Sequence, residues 1–288
     1  MPLRRVISSL LILFLHPFVS SAYSAKLPPY RIKTIVIDAG HGGKDGVNRG
    51  IYSKEKDVSL SVALKLGQAI ESNLKDVRVI YTRSEDVFIP LYERMNIANR
   101  AKADLFISIH CNNMPVETRR VQDGYTRNKK GQKVPVYRTI SAKSTSTHGV
   151  ETFVAGSKRL GEQDAAIREN AAVLLESDYK ENYDGFDPND PESAILLSLI
   201  KSKYRDQSFK FASLIQDEYI KTGRVDRGVQ EQSLAVLRHA TMPAVLTEIG
   251  FLSNPEEEDY LNSENGQTEV VNCLLNAIQG YKKQVELE

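Results

Sequence analysis

Ile35-Val36-Ile37-Asp38-Ala39-Gly40-His41-Gly42-Gly43 decides how the rest of this 288-residue chain is read. Its first residues and Thr34 are β-branched and apolar, which predicts a short buried strand over 34–37. The glycines then permit a sharp turn at the strand's carboxyl end, and without side chains they leave His41 open to a ligand or metal. Chemistry in α/β proteins sits outside the carboxyl ends of the strands, so His41 stands where a site is expected.

Working outward, Val58, Val62, Leu66, Ile70 and Leu74 recur every four positions. They predict an amphipathic helix from Asp57, with Glu55 just before its first turn. A strand over 77–82 completes a strand, helix, strand unit of the parallel-sheet type. Residues 90–100 read as a helix, and 104–110 as a third strand, nearly all apolar as a doubly covered strand should be. That strand too ends in a histidine, His110. Residues 112–147 break the rhythm: they are polar, carry Arg119, Arg120, Arg127, Lys129, Lys130, Lys133, Arg138 and Lys143, and read as a long excursion containing a hairpin. A strand over 150–154, a helix over 164–177, an acidic aromatic loop over 178–192 and a long helix over 193–222 ended by Gly223 follow. The last strand is 243–249 and the last helix 267–282.

A hydrophobic fraction of 41% and a charged fraction of 26% suit a folded globular chain. Residues 1–25 differ. Arg4 and Arg5 precede an apolar run over 6–18, then Ser20, Ser21 and Ala22, the layout of a secretory signal peptide. Cleavage after Ala22 or Ala25 would leave one exported domain, 26–288, with no second membrane segment. Losing Arg4 and Arg5 turns the formal charge of +1 into −1, a poor match for nucleic acid. Cys111 and Cys273 are too few for a disulfide framework and read as two buried thiols.

In a parallel sheet with right-handed crossovers, strand ends and helix starts share one edge, so His41, Glu55 and His110 converge. Two imidazoles, a carboxylate and a position left for water make the ligand set of a catalytic zinc site. Glu248, set in the apolar run Ala244-Val245-Leu246-Thr247-Glu248-Ile249-Gly250-Phe251, is placed as the base that takes a proton from water and returns it to a leaving amine. His148 and His239 lack such company and read as structural, with substrate contact the alternative for His148 in its loop beside a site strand.

At these residues the chain resembles the zinc-dependent N-acetylmuramoyl-L-alanine amidases, which cut bacterial peptidoglycan. The resemblance rests on Val36 to Gly43, on Glu55-Lys56-Asp57-Val58, Thr82-Arg83, the run Ala103 to His110, Gly149-Val150-Glu151-Thr152 and the run Pro243 to Asn254, in the family's order. It implies a single α/β domain with a mixed, mostly parallel twisted sheet of about six strands and helices on both faces. It also implies that His41, Glu55 and His110 bind Zn2+, that Glu248 is catalytic, and that the cleaved amide joins N-acetylmuramic acid to L-alanine of the stem peptide. A periplasmic monomer is expected, with no nucleic-acid or membrane partner after leader removal.

Three features depart from the common pattern, Cys111 after the third ligand, the basic excursion over 112–147 and an insert over about 156–204. The insert resembles the helical segment that covers the zinc cleft in cell-division amidases until an activator protein displaces it; Glu162, Asp164 or Glu169 would be the carboxylate that reaches the metal. A zinc peptidase cutting within the stem peptide and a catalytically inactive cell-wall-binding module are the alternatives.

Overall fold

Strand β1 (Thr34–Ala39) is wholly buried, as its apolar run demands, and it sits inside a six-stranded sheet. The computed structural model describes residues 31–46, 49–114, 116–156, 164–183 and 204–287. The expected leader and Glu162 lie outside these residues. The strands are β1, β2 (Arg78–Tyr81), β3 (Leu105–Asn112), β6 (Val150–Ala155), β7 (Asp226–Gln232) and β8 (Ala244–Phe251), in the order β2-β1-β3-β8-β6-β7. All neighbours pair parallel except β6 with β8, where Glu151 lies opposite Glu248. Between β3 and β6 the chain makes the expected hairpin, β4 (Val116–Arg127) with β5 (Lys133–Lys143), which forms its own two-stranded sheet.

The helices are α1 (Glu55–Asn73), α2 (Leu91–Arg100), α3 (Asp164–Asn170), α4 (Tyr179–Asn182), α5 (Arg205–Lys221), α6 (Pro255–Asn262) and α7 (Glu264–Leu287). On one side of the sheet α1, α5 and α7 bury Val62, Leu66, Phe211, Ile215, Leu274 and Ile278 against Ile35, Ile37, Ile107 and Val245. On the other, α2, α3 and the 3-10 turn Ala235–Leu237 bury Leu91, Met95 and Ala166 against Val36, Phe106, Phe153 and Leu246. Alternate residues of each central strand therefore serve opposite cores, which explains the continuous apolar runs. Cys111 and Cys273 are free, buried thiols.

Several boundaries differ from the sequence reading. Glu55 is the first residue of α1 rather than the residue before its first turn. The helix expected over 164–177 stops at Asn170, whose amide donates to Ser233 O at 2.8 Å and whose Oδ1 accepts from Ala235 N at 2.7 Å. These bonds tie the turn to a neighbour, and a 3-10 turn, Ala171–Leu175, follows. Strand β8 runs three residues past Glu248, because its bulged pairing with β3 continues to Phe251.

Candidate metal centre

The loop leaving β1 turns at His41, whose φ of 58° is left-handed and uncommon for a residue with a side chain. Two buried arginines hold it there. Arg94 donates to Ala39 O and His41 O at 2.7 Å each, and Arg83 to Ala39 O at 2.9 Å and Gly40 O at 2.7 Å. The glycines work differently from the open access read from sequence. A Cβ on Gly40 would lie 2.5 Å from His110 Nε2, so this position yields its space to the second imidazole. Gly42, at φ 128°, admits the backbone of Val87, whose oxygen a Cβ would meet at 2.3 Å.

His41, Glu55 and His110 do come together, with a fourth group, Glu169. Their ligand atoms all lie within 4.8 Å of one another, and all four residues are buried. His41 Nε2 is 3.2 Å from Glu55 Oε2 and 3.3 Å from Glu169 Oε2, while His110 Nδ1 is 3.0 Å from Glu55 Oε1 and 2.9 Å from Glu169 Oε2. The outer nitrogen of His41, Nδ1, faces Asp45 Oδ2 at 2.9 Å, which leaves Nε2 to face inward. Glu55 Oε1 also accepts from Cys111 N at 2.9 Å. The residue after His110 thus contributes its backbone, and the Cys111 thiol belongs to the apolar core behind it.

This donor set passes a chemical test for a divalent cation. Glu55 Oε2 and Glu169 Oε2 are buried and have the cluster's own imidazoles as their neighbours, so these two carboxylates depend on positive charge at this one point. Burial opposes charge on His41, yet Glu55 and the hydrogen bonds to Asp45 and Glu169 hold its imidazolium well above the ordinary range. His110, despite burial, is pushed up to about 10 by Glu169 and Glu55. Both carboxyl groups are held below their ordinary range, by His41 for Glu55 and by His110 for Glu169. The two carboxylates together demand two positive charges at this point, which one divalent ion supplies with both imidazoles neutral. Two nitrogens and two carboxylate oxygens suit zinc.

Glu248 lies directly opposite His110 in the sheet and is completely buried. Its Oε1 is 3.3 Å from Arg168 Nη2, and its Oε2 has no hydrogen-bond partner among the described residues. Burial, then the charges of Glu169 and Glu55, raise its pKa, with Arg168 and His110 opposing. The same Arg168 donates to Glu169 Oε1 at 2.9 Å, so one turn of α3 faces both the cluster and Glu248. Of the two insert carboxylates considered that lie among the described residues, Asp164 and Glu169, Glu169 is the one in the cluster. His148 and His239 take no part in it. Asp45, Arg83 and Arg94 carried no role in the sequence reading. A lone Asp four residues after a glycine-flanked histidine was the available signal for Asp45.

A mostly parallel sheet with two imidazoles, two cluster carboxylates and a further buried acid at its carboxyl edge defines an α/β protein with a cluster able to bind a metal. The chain belongs to the N-acetylmuramoyl-L-alanine amidase family Amidase_3, whose profile matches residues 35–280. It is 31% identical over 250 residues to N-acetylmuramoyl-L-alanine amidase AmiC of Escherichia coli, covering 86% of this chain and 52% of that one. It is 30% identical over 251 residues to AmiA of Escherichia coli, covering 86% and 76%. The chain therefore spans about half the length of AmiC and about three quarters of AmiA. Among solved structures it is similar to the catalytic domain of the amidase CwlV from Bacillus (Paenibacillus) polymyxa, at 28% identity and TM-score 0.57, covering 86% of this chain and 97% of that one.

Proposed function

We propose that this chain is a zinc-dependent hydrolase of peptidoglycan that cuts the amide between N-acetylmuramic acid and L-alanine of the stem peptide. The observation that carries the reading is the buried convergence of His41, Glu55 and His110 beside the unpaired Glu248 oxygen. His41 Nε2, Glu55 and His110 Nδ1 would hold the ion, whose chemistry there is polarisation of the scissile carbonyl and acidification of water. Glu248 takes a proton from water as the water oxygen attacks the carbonyl carbon. It then gives that proton to the nitrogen as the carbon–nitrogen bond breaks, leaving a carboxylate and a free amine. A raised pKa favours both the uptake and the return of that proton near neutral pH.

The fourth donor, Glu169, fills the position a substrate oxygen or water needs, so the resting chain is read as autoinhibited. Arg168 supports this by engaging Glu248 from the same turn. Opening requires a partner, and Ile167, Leu174 and Leu175, exposed by 55%, 44% and 36% on this segment, supply apolar surface for one to hold. Residues 1–25 are read as the leader for export and 26–288 as the catalytic domain. No described helix is long and apolar enough to cross a membrane.

Purified Glu169→Ala protein incubated with peptidoglycan should release free stem peptides beginning in L-alanine, identified by mass spectrometry, and adding Glu248→Gln should abolish that release. Fragments cut inside the stem would instead identify a peptidase, and no fragments under any condition a binding module. Glu169→Ala should raise turnover without any partner. Unchanged turnover in the folded variant would sink the autoinhibition.

A further inference from the structure

The β4–β5 ribbon takes no part in the site above, and its composition stands apart. Residues 116–143 hold eight Lys or Arg against two acids, Glu117 and Asp123, in a chain of formal net charge +1. Among the described residues the two strands pair only with each other. Strand alternation and register place Arg120, Tyr125, Arg127, Lys133 and Tyr137 on one face. There the Arg120 guanidinium lies 5.1 Å from the centre of the Tyr137 ring, and Lys133 Nζ lies 4.2 Å from that of Tyr125. Tyr125 is 57% exposed and Tyr137 48%. Arg127 donates to Gly131 O at 2.6 Å, which ties it to the turn. Arg119 and Arg138 fall on the opposite face, where Arg138 is 3.7 Å from Asp123.

The ribbon is rooted at the site. It begins four residues after Asn112, the end of the strand that carries His110, and its root is fastened by Met114 N to Ser253 Oγ at 3.1 Å and by Asn113 Nδ2 to Arg49 O at 2.7 Å. At about 3.3 Å per residue, β4 reaches about 36 Å from that root. We propose that this basic, tyrosine-bearing face is a docking arm for the peptidoglycan polymer, a glycan strand whose stem peptides carry free carboxylates. The tyrosine rings take the flat C–H faces of sugars, and Arg120 and Lys133 take carboxylates. Each exposed pair contributes little alone, so the arm acts through repetition along one polymer and is sensitive to salt. This rests on the amidase reading, because the substrate held at the metal centre is part of the same strand.

The test uses two full-length variants with equal charge change. One is Arg120→Ser, Tyr125→Ser, Lys133→Ser, Tyr137→Ser, and the other is Arg119→Ser, Arg138→Ser on the opposite face. With Glu248→Gln added so that the polymer survives, each is cosedimented with purified insoluble peptidoglycan at low salt. The first variant should bind at least fivefold less than the parent, and the second within twofold of it. With Glu248 intact and Glu169→Ala added to open the site, the first variant should raise the ratio of KM on polymer to KM on a soluble muramyl-peptide at least fivefold. Equal binding by parent and first variant would overturn the proposal, as would equal losses in both variants. Parental binding to anionic lipid vesicles but not to peptidoglycan would also overturn it. Failure of the amidase reading shows separately, as no release from the muramyl-peptide by the Glu169→Ala protein, and cosedimentation still judges the arm.

Discussion

Replacing Asp38 by asparagine tests how the fold holds the metal loop. Asp38 is completely buried in β1 and accepts from Thr82 Oγ1 at 2.6 Å, Ser108 Oγ at 2.5 Å and Arg94 Nη1 at 2.9 Å. The same guanidinium grips the carbonyls of Ala39 and His41, so Asp38 neutralises the cation that holds the loop. Burial works against ionisation, yet Arg94, Ser108 and Thr82 keep the Asp38 pKa below its ordinary 3.8. The folded state therefore binds its proton less readily than the unfolded state. The resulting stabilisation is fully present above the unfolded value and is lost as pH falls through the folded one. Asp38→Asn leaves Arg94 buried without a counter-charge, which costs about 3–5 kcal/mol. Against a total of about 5–15 kcal/mol, that is a large fraction. Urea unfolding at pH 7 followed by circular dichroism should show this loss, and the gap to the parent should narrow below about pH 4, where the parent loses its own stabilisation. Arg94→Met should cost a similar amount, and the double variant less than the sum by about 0.5–3 kcal/mol. A single-variant cost under about 1 kcal/mol, or strict additivity, would refute the reasoning.

Other outcomes follow from the centre itself. Asp45→Ala frees His41 Nδ1 and should weaken zinc binding about 10–100-fold in competition with a chromophoric chelator, with little change in unfolding. Retained affinity would remove Asp45 from the argument. Gly40→Ala puts a methyl group into the His110 ring and should cost about 1–3 kcal/mol; it should also erase any zinc-dependent rise in the thermal midpoint. For the parent, zinc at a hundred times its Kd should stabilise by about 2.7 kcal/mol, reversed by chelator. A midpoint indifferent to zinc would argue against the cluster as a metal centre.

Some elements escaped the sequence reading for identifiable reasons. Strand β7, Asp226-Arg227-Gly228-Val229-Gln230-Glu231-Gln232, is a sheet edge, half-buried along most of its length and rich in polar residues, so it carries no apolar alternation. Helix α6 did have a local signal, Asn254 accepting from Glu256 N and Glu257 N with Pro255 at the first position. Helix α7 extends three residues before and five after its expected span, because exposed polar ends leave the apolar stripe silent about boundaries.

By itself the sequence determined the central strands, the hairpin and the convergence of His41, Glu55 and His110. Apolar periodicity sets which segments are buried, and parallel strands deliver their ends to one edge. Only the tertiary structure decided what holds and covers that edge. Arg94 reaches carbonyls more than fifty residues away, a contact that no local pattern encodes. Glu169 reaches the cluster because Asn170 locks its turn against residues 233–235, so the choice of donor lay in packing between distant segments. The donors were legible because backbone geometry alone brings them together, and their restraint was not, because it depends on long-range side-chain bonds.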